Sequence, residues 1–188
     1  MKLQTLAAIS KCLRFKGGRS RPDKSMPFIL PLLNKLENDS YLLDVGCGRG
    51  SFGIIVNQEY PRKFQIDGID AVEYENQYPD YGGVLVGNFL NVYQEMIGAY
   101  DCYIFIDVLE HFEREQAIEV VEFFRMRGKR IIASIPNAEQ HWHQDEGFEK
   151  ANPFEKHRHD WTNAEVEKEL KLKLVGEKEA IGVFQYGF

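Results

Sequence analysis

Short apolar runs alternate with helix-like segments through most of this chain, and this alternation limits the possible folds more than any other feature. The five apolar runs cover residues 41–46, 64–70, 83–86, 101–107 and 129–135. They are apolar almost throughout, which is typical of strands that are buried on both faces. Strands that alternate with helices form a parallel sheet with helices on both faces, so we predict an α/β fold.

Helical spacing of apolar residues marks the segments around these runs. We predict helices over 2–14, 26–38, 51–60, 113–127 and about 163–170. Pro31 is expected to kink the second of these helices or to delay its start, because proline removes a backbone donor. Glycines make 16–22 a predicted flexible joint. Two more strand-like runs, 171–176 and 180–186, bring the expected number of strands to about seven.

The length of 188 residues fits one domain spanning 1–188. Hydrophobic residues make up 44% of the chain, which is enough for a core, and no apolar run reaches the roughly 20 residues that a membrane helix requires. Three cysteines, Cys12, Cys47 and Cys102, indicate a reducing compartment without a disulfide framework. Because the start of the chain also lacks the pattern of a secretion signal, we expect a cytoplasmic protein with no membrane partner.

The charge of the chain is unevenly distributed along its length. The whole sequence has a net charge of −6, yet residues 1–25 hold seven basic residues and one acid. The acidic remainder argues against a broad nucleic-acid surface. The basic N-terminal arm, 1–25, is interpreted as a solvated tail. A cap over a ligand site and a contact with nucleic-acid phosphates are the alternatives.

A glycine-rich turn follows the first apolar run, with the sequence Leu43-Asp44-Val45-Gly46-Cys47-Gly48-Arg49-Gly50. Glycines at such a strand-to-helix turn let the backbone approach a ligand closely, and the helix start offers free N–H groups. Dinucleotide enzymes use the spacing G-x-G-x-x-G, but here Ser51 stands where the third glycine would be. The spacing is G-x-G-x-G, which disfavours a nicotinamide-dependent oxidoreductase.

The segment Asp44–Gly50 resembles motif I of the class I methyltransferases that use S-adenosylmethionine (SAM), and the similarity continues in order over about 41–137. Gly68-Ile69-Asp70 is similar to the second-strand acid that holds the ribose hydroxyls in this family. Val86-Gly87-Asn88-Phe89 resembles the turn that reads adenine, although many relatives carry Asp where this chain has Asn88. The amide oxygen of Asn88 is still able to accept from the adenine amine, and Phe89 is expected to pack on the ring.

Two later segments extend the resemblance. Ile106–Phe112 is similar to the fourth-strand motif beneath the methionine end of SAM, and Ser134–Asn137 resembles the fifth-strand end of small-molecule methyltransferases. The resemblance implies a three-layer Rossmann-like sandwich with a mostly parallel sheet whose last strand, 180–186, is antiparallel. It also implies SAM as cofactor, in a pocket lined by Asp44, Gly46, Cys47, Gly48, Gly50, Asp70, Ala71, Asn88, Phe89, Asp107 and Val108.

The connection between the second and third strands departs from the pattern of the family. About 13 residues separate Asp70 from Val84, which is short for a helix between two strands. We predict that a turn and an aromatic stretch with Tyr74, Tyr78 and Tyr81 replace that helix. The adenine side of the site is then expected to be more open than usual.

Residues 138–162 hold four of the five histidines and both tryptophans. The stretch follows the fifth strand, at the edge where ligands of open α/β sheets bind, so we predict a lid over the methyl acceptor, with a solvated loop as the alternative. His157 is the first candidate for a catalytic base, because histidine titrates near neutral pH. His159 and Asp160 are the further candidates. The residues predicted to line the acceptor side are His111, Asn137 and Trp161.

Two H-x-H units in the same stretch raise the question of a metal ion. His141/His143 and His157/His159 are each spaced so that both side chains of an extended segment are able to face one way. Histidine pairs of this kind occur in metal sites, but no cysteine accompanies these two. We therefore predict that the protein holds no metal.

The sequence after the fourth strand bears on the methyl acceptor. Enzymes that methylate amino groups of nucleic acids and proteins carry Asn-Pro-Pro-Tyr or Asp-Pro-Pro-Tyr there, whereas this chain has Asp107-Val108-Leu109-Glu110. We predict methyl transfer to an oxygen or nitrogen of a small molecule or a glycan-type intermediate. An RNA or protein acceptor, or a regulatory protein that binds SAM without catalysis, are the alternatives, and the oligomeric state is left open.

Overall fold

The computed structural model describes residues 22–74, 80–140 and 152–188. The predicted helix over 2–14, most of the basic arm, Tyr78 and the histidine pair His141/His143 lie outside the described residues. None of the helices in the described ranges combines the length and hydrophobicity that crossing a bilayer requires.

Within the described residues, seven strands form one sheet in the order β3-β2-β1-β4-β5-β7-β6. The strands are β1 (Ser40–Val45), β2 (Phe64–Asp70), β3 (Gly83–Val86), β4 (Cys102–Ile106), β5 (Arg130–Pro136), β6 (Lys173–Lys178) and β7 (Ile181–Tyr186). Each pairing from β3 to β5 is parallel, while β7 lies antiparallel to both β5 and β6. The predicted fold class, including the antiparallel last strand, is confirmed.

The helices are α1 (Pro22–Leu33), α2 (Ser51–Glu59), α3 (Arg114–Arg125) and α4 (Asn163–Glu165), which continues as a π-helical turn, Val166–Leu170. The predicted start and end of α1 at residues 26 and 38 were wrong. The helix begins at Pro22, a position in the first turn where the missing N–H of proline has no cost. It runs through Pro27 and Pro31 because its apolar face is held by burial of Met26, Ile29 and Leu33.

Alternation along the strands produces two cores, one on each face of the sheet. Leu42 and Ile104 pack in the layer of α1 and α2, whereas their neighbours Leu43 and Phe105 pack in the layer of α3 and α4. All four are fully buried, and each such side chain stabilises the fold by about 1.5–3 kcal/mol. Burial on both faces is what the near-continuous apolar runs predicted.

The connection between β2 and β3 contains no helix in its described residues, 71–74 and 80–82. The Gly82 N–H donates to the carbonyl of Ile66 at 2.7 Å, which brings the chain directly back to the sheet. Tyr81 packs against the core beside α2. The described residues on either side of 75–79 thus agree with the predicted turn, and the part of the prediction that concerns Tyr78 lies outside the described residues.

Candidate functional site

The glycine-rich turn lies at the carboxyl end of β1, between the sheet and the start of α2. The N–H groups of Gly46 and Cys47 both donate to the carbonyl of Ile69, at 2.8 and 3.2 Å, which fixes the turn to the end of β2. Gly48 has a φ of +52°, and a Cβ built on it would meet no atom within 4 Å. This glycine therefore borders open space at the ligand edge of the sheet.

Asp70 braces this turn from the end of β2. One of its carboxylate oxygens accepts from the Gly48 N–H at 2.8 Å and the other from the Val72 N–H at 2.9 Å. Partial burial raises the pKa of Asp70, and the two backbone hydrogen bonds oppose this shift. Ala71 follows directly and is half-buried. The predicted ribose-binding acid thus stands beside the glycine turn, with its carboxylate already oriented by two backbone donors.

We expect the substitution Asp70→Ala to weaken SAM binding by about 1–3 kcal/mol, because ribose hydroxyls and the Gly48 N–H would lose their acceptor. Isothermal titration calorimetry with SAM measures this change. Asp67→Ala is the matched control, since Asp67 lies on the same strand but its carboxylate accepts from Tyr100 at 3.1 Å. Equal SAM affinity for Asp70→Ala and the parent protein would remove Asp70 from the donor site.

Asp44 lies beneath the turn and is almost completely buried, at 2% exposure. The Tyr81 hydroxyl donates to its carboxylate at 2.5 Å and accepts from the Gly53 N–H at 3.1 Å. Burial raises the pKa of Asp44 to about 7, while the Tyr81 hydrogen bond opposes that shift and the charge of Asp70 adds to it. The hydrogen bond between Asp44 and Tyr81 could not be predicted from the sequence, which indicated only the aromatic stretch that contains Tyr81.

The substitution Tyr81→Phe tests this buried pair. A buried acid with a raised pKa lowers stability as pH rises from its unfolded pKa toward its folded pKa, so the cost of Asp44 is smaller at pH 5 and largest above pH 7. Loss of the Tyr81 donor should therefore destabilise the protein by about 1–3 kcal/mol at pH 8 and by less at pH 5. Urea unfolding at the two pH values measures both quantities.

The control for this experiment is Tyr60→Phe, which removes a hydroxyl that donates to the neutral carbonyl of Leu30 at 2.9 Å. Its destabilisation should be the same at pH 5 and pH 8, because neither group titrates in that range. A Tyr81→Phe effect that is also independent of pH would show that Asp44 does not depend on this hydroxyl.

Asn88 and Phe89, which were both predicted to contact adenine, have different surroundings. The Asn88 carboxamide oxygen accepts from the Leu90 N–H at 3.0 Å and thereby caps a short 3-10 turn, Phe89–Asn91. Phe89 is only 5% exposed, and its ring packs on Phe105 and Phe124 in the core. The expectation that Phe89 packs on adenine is corrected, because protein atoms already cover its ring.

The end of β4 brings Asp107 and Val108 to the same edge. Asp107 has a φ of +54°, and its carboxylate accepts from the Ser134 hydroxyl at 2.8 Å. Val108 lies so close to the turn that a Cβ on Gly46 would come within 2.5 Å of its methyl group. The β1 and β4 ends are therefore in direct contact, which explains why position 46 holds a glycine.

Behind this edge, Glu110, His111 and His157 form a cluster that joins two distant parts of the chain. The rings of His111 and His157 lie 5.0 Å apart, centroid to centroid, and are nearly perpendicular. The Arg158 N–H donates to the backbone carbonyl of Glu110 at 2.8 Å, which fixes the segment after residue 152 to the end of β4. The His157 Nδ1 lies 3.5 Å from a carboxylate oxygen of Asp160.

Burial determines the protonation of this cluster. It raises the pKa of Glu110 well above its usual range, with the charge of Asp107 as the next cause. Burial also lowers the pKa of His111 to about 4, and the neighbouring His157 adds to that effect. The pKa of His157 is lowered by burial as well, against the opposing charge of Asp160. Both histidines are consequently neutral at pH 7.

The same segment lies close to the donor edge. Burial raises the pKa of Glu155, and the charge of Asp70 contributes to that rise. A hydrogen bond joins the two ends of the stretch 138–162, in which the Ala138 N–H donates to the carbonyl of Trp161 at 2.9 Å. The described part of 138–162 thus starts and finishes at the end of β5 and passes near both Asp70 and Glu110.

Three acceptor-side predictions need correction. Trp161 is completely buried and its indole N–H donates to the Leu109 carbonyl at 3.4 Å, so it belongs to the core and not to a ligand wall. His159 lies against Trp161, with ring centroids 4.4 Å apart, and not beside His157. Asn137 is buried, and its carboxamide donates to Glu177 at 3.0 Å, so it holds β6 to β5.

Comparisons with known proteins place this geometry in a family. A family model described as a methyltransferase domain matches residues 18–173. No curated protein matches the sequence. Among solved structures, a SAM-dependent methyltransferase from Archaeoglobus fulgidus is similar, with a TM-score of 0.57 and 16% identity, over 80% of this chain and 71% of that one.

Two further structures illustrate the range of proteins that share the fold. The 1,6-didemethyltoxoflavin-N1-methyltransferase of Burkholderia thailandensis, with bound S-adenosylhomocysteine, has a TM-score of 0.58 and 12% identity over 86% of this chain and 77% of that one. The small RNA methyltransferase HEN1 has a TM-score of 0.57 and 20% identity, covering 93% of this chain but only 27% of that protein.

The sheet order and the glycine-rich turn at the end of β1 define a class I methyltransferase. The chain belongs to the methyltransferase-domain family, whose model covers most of its length. It is an enzyme, and its methyl donor is SAM.

Proposed function

We propose that this enzyme transfers the methyl group of SAM to an oxygen or nitrogen of a small molecule or a glycan-type intermediate. The observation that carries the proposal is the open space at Gly48 after β1, together with the cluster of Glu110, His111 and His157 after β4. An electrophilic donor and a group of titratable side chains therefore meet at one edge of the sheet, as group transfer requires.

On the donor side, each proposed role follows from the position of the residue. The turn of Gly46, Cys47, Gly48 and Gly50 holds the body of SAM, which enters the open space at Gly48. Asp70, with Ala71 beside it, accepts from the ribose hydroxyls. Asn88 offers its carboxamide to adenine, and Asp107 and Val108 lie beneath the methionine end.

On the acceptor side, the reaction is an in-line displacement. The acceptor atom forms a bond to the methyl carbon while the carbon–sulfur bond breaks, and S-adenosylhomocysteine is the product. An acceptor of high pKa must lose a proton in this step. We retain His157 as the residue that acts on this proton, because Asp160 orients its Nδ1 and Glu110 and His111 lie beside it.

The experiment that tests this function is a product search with methyl-labelled SAM. The purified enzyme is incubated with small-molecule extracts, with lipid-linked and free glycans, and with an RNA pool. We expect label in a small-molecule or glycan fraction. Label in RNA alone would favour the second acceptor class, in which the basic arm, 1–25, contacts phosphates, and would overturn the proposed one.

A further inference from the structure

The three residues behind the donor edge have the composition of a metal site. One ligand atom from each of Glu110, His111 and His157 lies within 4.8 Å of the other two. An ion held at about 2.1 Å from each requires ligand atoms about 3–4 Å apart, so the widest separation in the group shortens by about 1–2 Å when the side chains close around an ion. These residues come from the turn after β4 and from the segment that precedes α4, so only the fold brings them together.

Glu110 supplies a second, independent indication of a ligand. Glu110 is 1% exposed, and among residues 22–74, 80–140 and 152–188 no other residue donates a hydrogen bond to either of its carboxylate oxygens. A buried carboxylate without donors is costly unless a cation or another partner compensates it. The only neighbours of suitable type in the cluster are two histidines that also present ligand atoms.

The Nδ1 contacts of both histidines suit metal binding through Nε2. The Nδ1 of His111 lies 3.3 Å from the carbonyl oxygen of Lys156, an acceptor that requires a proton on Nδ1. The Nδ1 of His157 faces the Asp160 carboxylate at 3.5 Å. A metal-bound histidine normally donates its other N–H to a carbonyl or a carboxylate, and this cluster contains one of each.

From this arrangement we propose that Glu110, His111 and His157 bind one divalent first-row transition-metal ion, such as Mn²⁺, Co²⁺ or Zn²⁺. Two imidazoles and one carboxylate suit such ions, whereas Mg²⁺ and Ca²⁺ prefer a set of oxygen ligands. Three protein ligands leave at least one coordination position for water or a substrate oxygen. The sequence predicted no metal and paired His157 with His159, whereas the fold pairs His157 with His111.

The catalytic consequence of this ion rests on the proposed function. An acceptor hydroxyl that coordinates the ion has a lowered pKa and releases its proton to solvent water. The resulting oxygen anion attacks the methyl carbon of SAM as the carbon–sulfur bond breaks. In this arrangement His157 holds the ion and does not itself take the acceptor proton, and the proposed acceptor belongs to the hydroxyl class.

Metal binding is tested with Co²⁺ alone on the full chain after dialysis against a chelator. Visible absorption and calorimetry should show one equivalent bound, and the bound ion should raise the Tm of the protein. The substitutions His111→Gln and His157→Gln should lower the Co²⁺ affinity by more than the roughly 10–100-fold that changes outside the ligand set cause. The matched control is His159→Gln, which should keep the parent affinity because His159 packs on Trp161.

Glu110→Gln keeps the test decisive if a histidine variant fails to fold. Without metal, this change removes a buried unpaired acid, so the Tm should rise above that of the parent protein. The same variant should lose the additional rise that Co²⁺ causes in the parent. Absence of Co²⁺ binding to the parent, or binding that all three ligand substitutions leave unchanged, would overturn the metal site.

Different experimental outcomes would contradict the metal site and the proposed function. Methyl transfer that continues at full rate after chelation, while Co²⁺ still binds the parent, would overturn the role of the ion in the reaction. Co²⁺ binding that the ligand substitutions abolish, in a protein that yields no methylated small molecule or glycan, would confirm the site and count against the proposed function.

Discussion

The substitution Gly48→Leu is expected to weaken SAM binding by at least about 100-fold, which corresponds to about 2.7 kcal/mol, while the protein still folds. A side chain at this position would enter the open space that the glycine now borders, where we place the donor. The φ of +52° adds conformational strain of about 1–2 kcal/mol for any residue other than glycine. Calorimetry with SAM and thermal unfolding measure the two effects separately.

Gly128 offers a matched control for this variant. It also has a positive φ, +66°, and a Cβ there would also meet no atom within 4 Å, but it follows α3 at the opposite end of the β5 strand from the site. Gly128→Leu should therefore lose a similar amount of stability and keep the parent affinity for SAM. If both leucine variants bind SAM as the parent does, the donor does not lie against the glycine turn.

The largest effect on turnover is expected from His157→Ala, which should slow methyl transfer by roughly 10²–10⁴-fold with little change in SAM affinity. The side chain is 10% exposed and faces His111 and Asp160, so its loss removes the centre of the acceptor-side cluster. Single-turnover rates with labelled SAM and the acceptor found by the product search measure the change.

Arg158→Ala is the control for this experiment. The Arg158 side chain points to Glu113, at 3.7 Å, and its contact with Glu110 is made by the backbone and survives the substitution. Its turnover should stay within a few-fold of the parent. If His157→Ala also stays within a few-fold, the proton is removed elsewhere; if SAM affinity collapses instead, the segment belongs to the donor site.

The strands could be predicted closely because a buried parallel strand has a continuous apolar signature that needs no knowledge of its neighbours. β2 and β3 begin and end at the predicted residues, and β1, β4 and β5 differ by one residue at each end. The glycine turn could be located for a similar reason, since its spacing is local. The bounds of α1 were predicted wrongly because its first turn holds the polar residues Asp23, Lys24 and Ser25, which do not show the apolar spacing of a helix.

The acceptor-side residues could not be predicted correctly, because their positions depend on contacts between residues that are distant in the sequence. In the sequence, a tryptophan within a polar stretch is equally consistent with a residue that lines a ligand site and with a core residue. In the structure Trp161 is completely buried and donates to the Leu109 carbonyl, so it is a core residue. Tyr81 matters because its hydroxyl donates to Asp44, which lies 37 residues away in the sequence. Glu110 matters because the fold buries its carboxyl group. His157 and His111 are also far apart in the sequence, although their rings are in contact. Because His159 is only two residues from His157, the sequence suggested His159 as its partner.

The hydrogen bond between Ala138 and Trp161 means that the chain leaves the sheet and returns to it at one point. A loop with joined ends tolerates changes in length, since each doubling adds only about 0.6 kcal/mol of closure entropy. Evolution can therefore lengthen, shorten or exchange the residues between these two anchors while β5 and the donor turn stay as they are. Grafting the corresponding residues of another methyltransferase between positions 138 and 152, with His157 and Trp161 kept, is then a direct route to a new acceptor with an unchanged methyl donor.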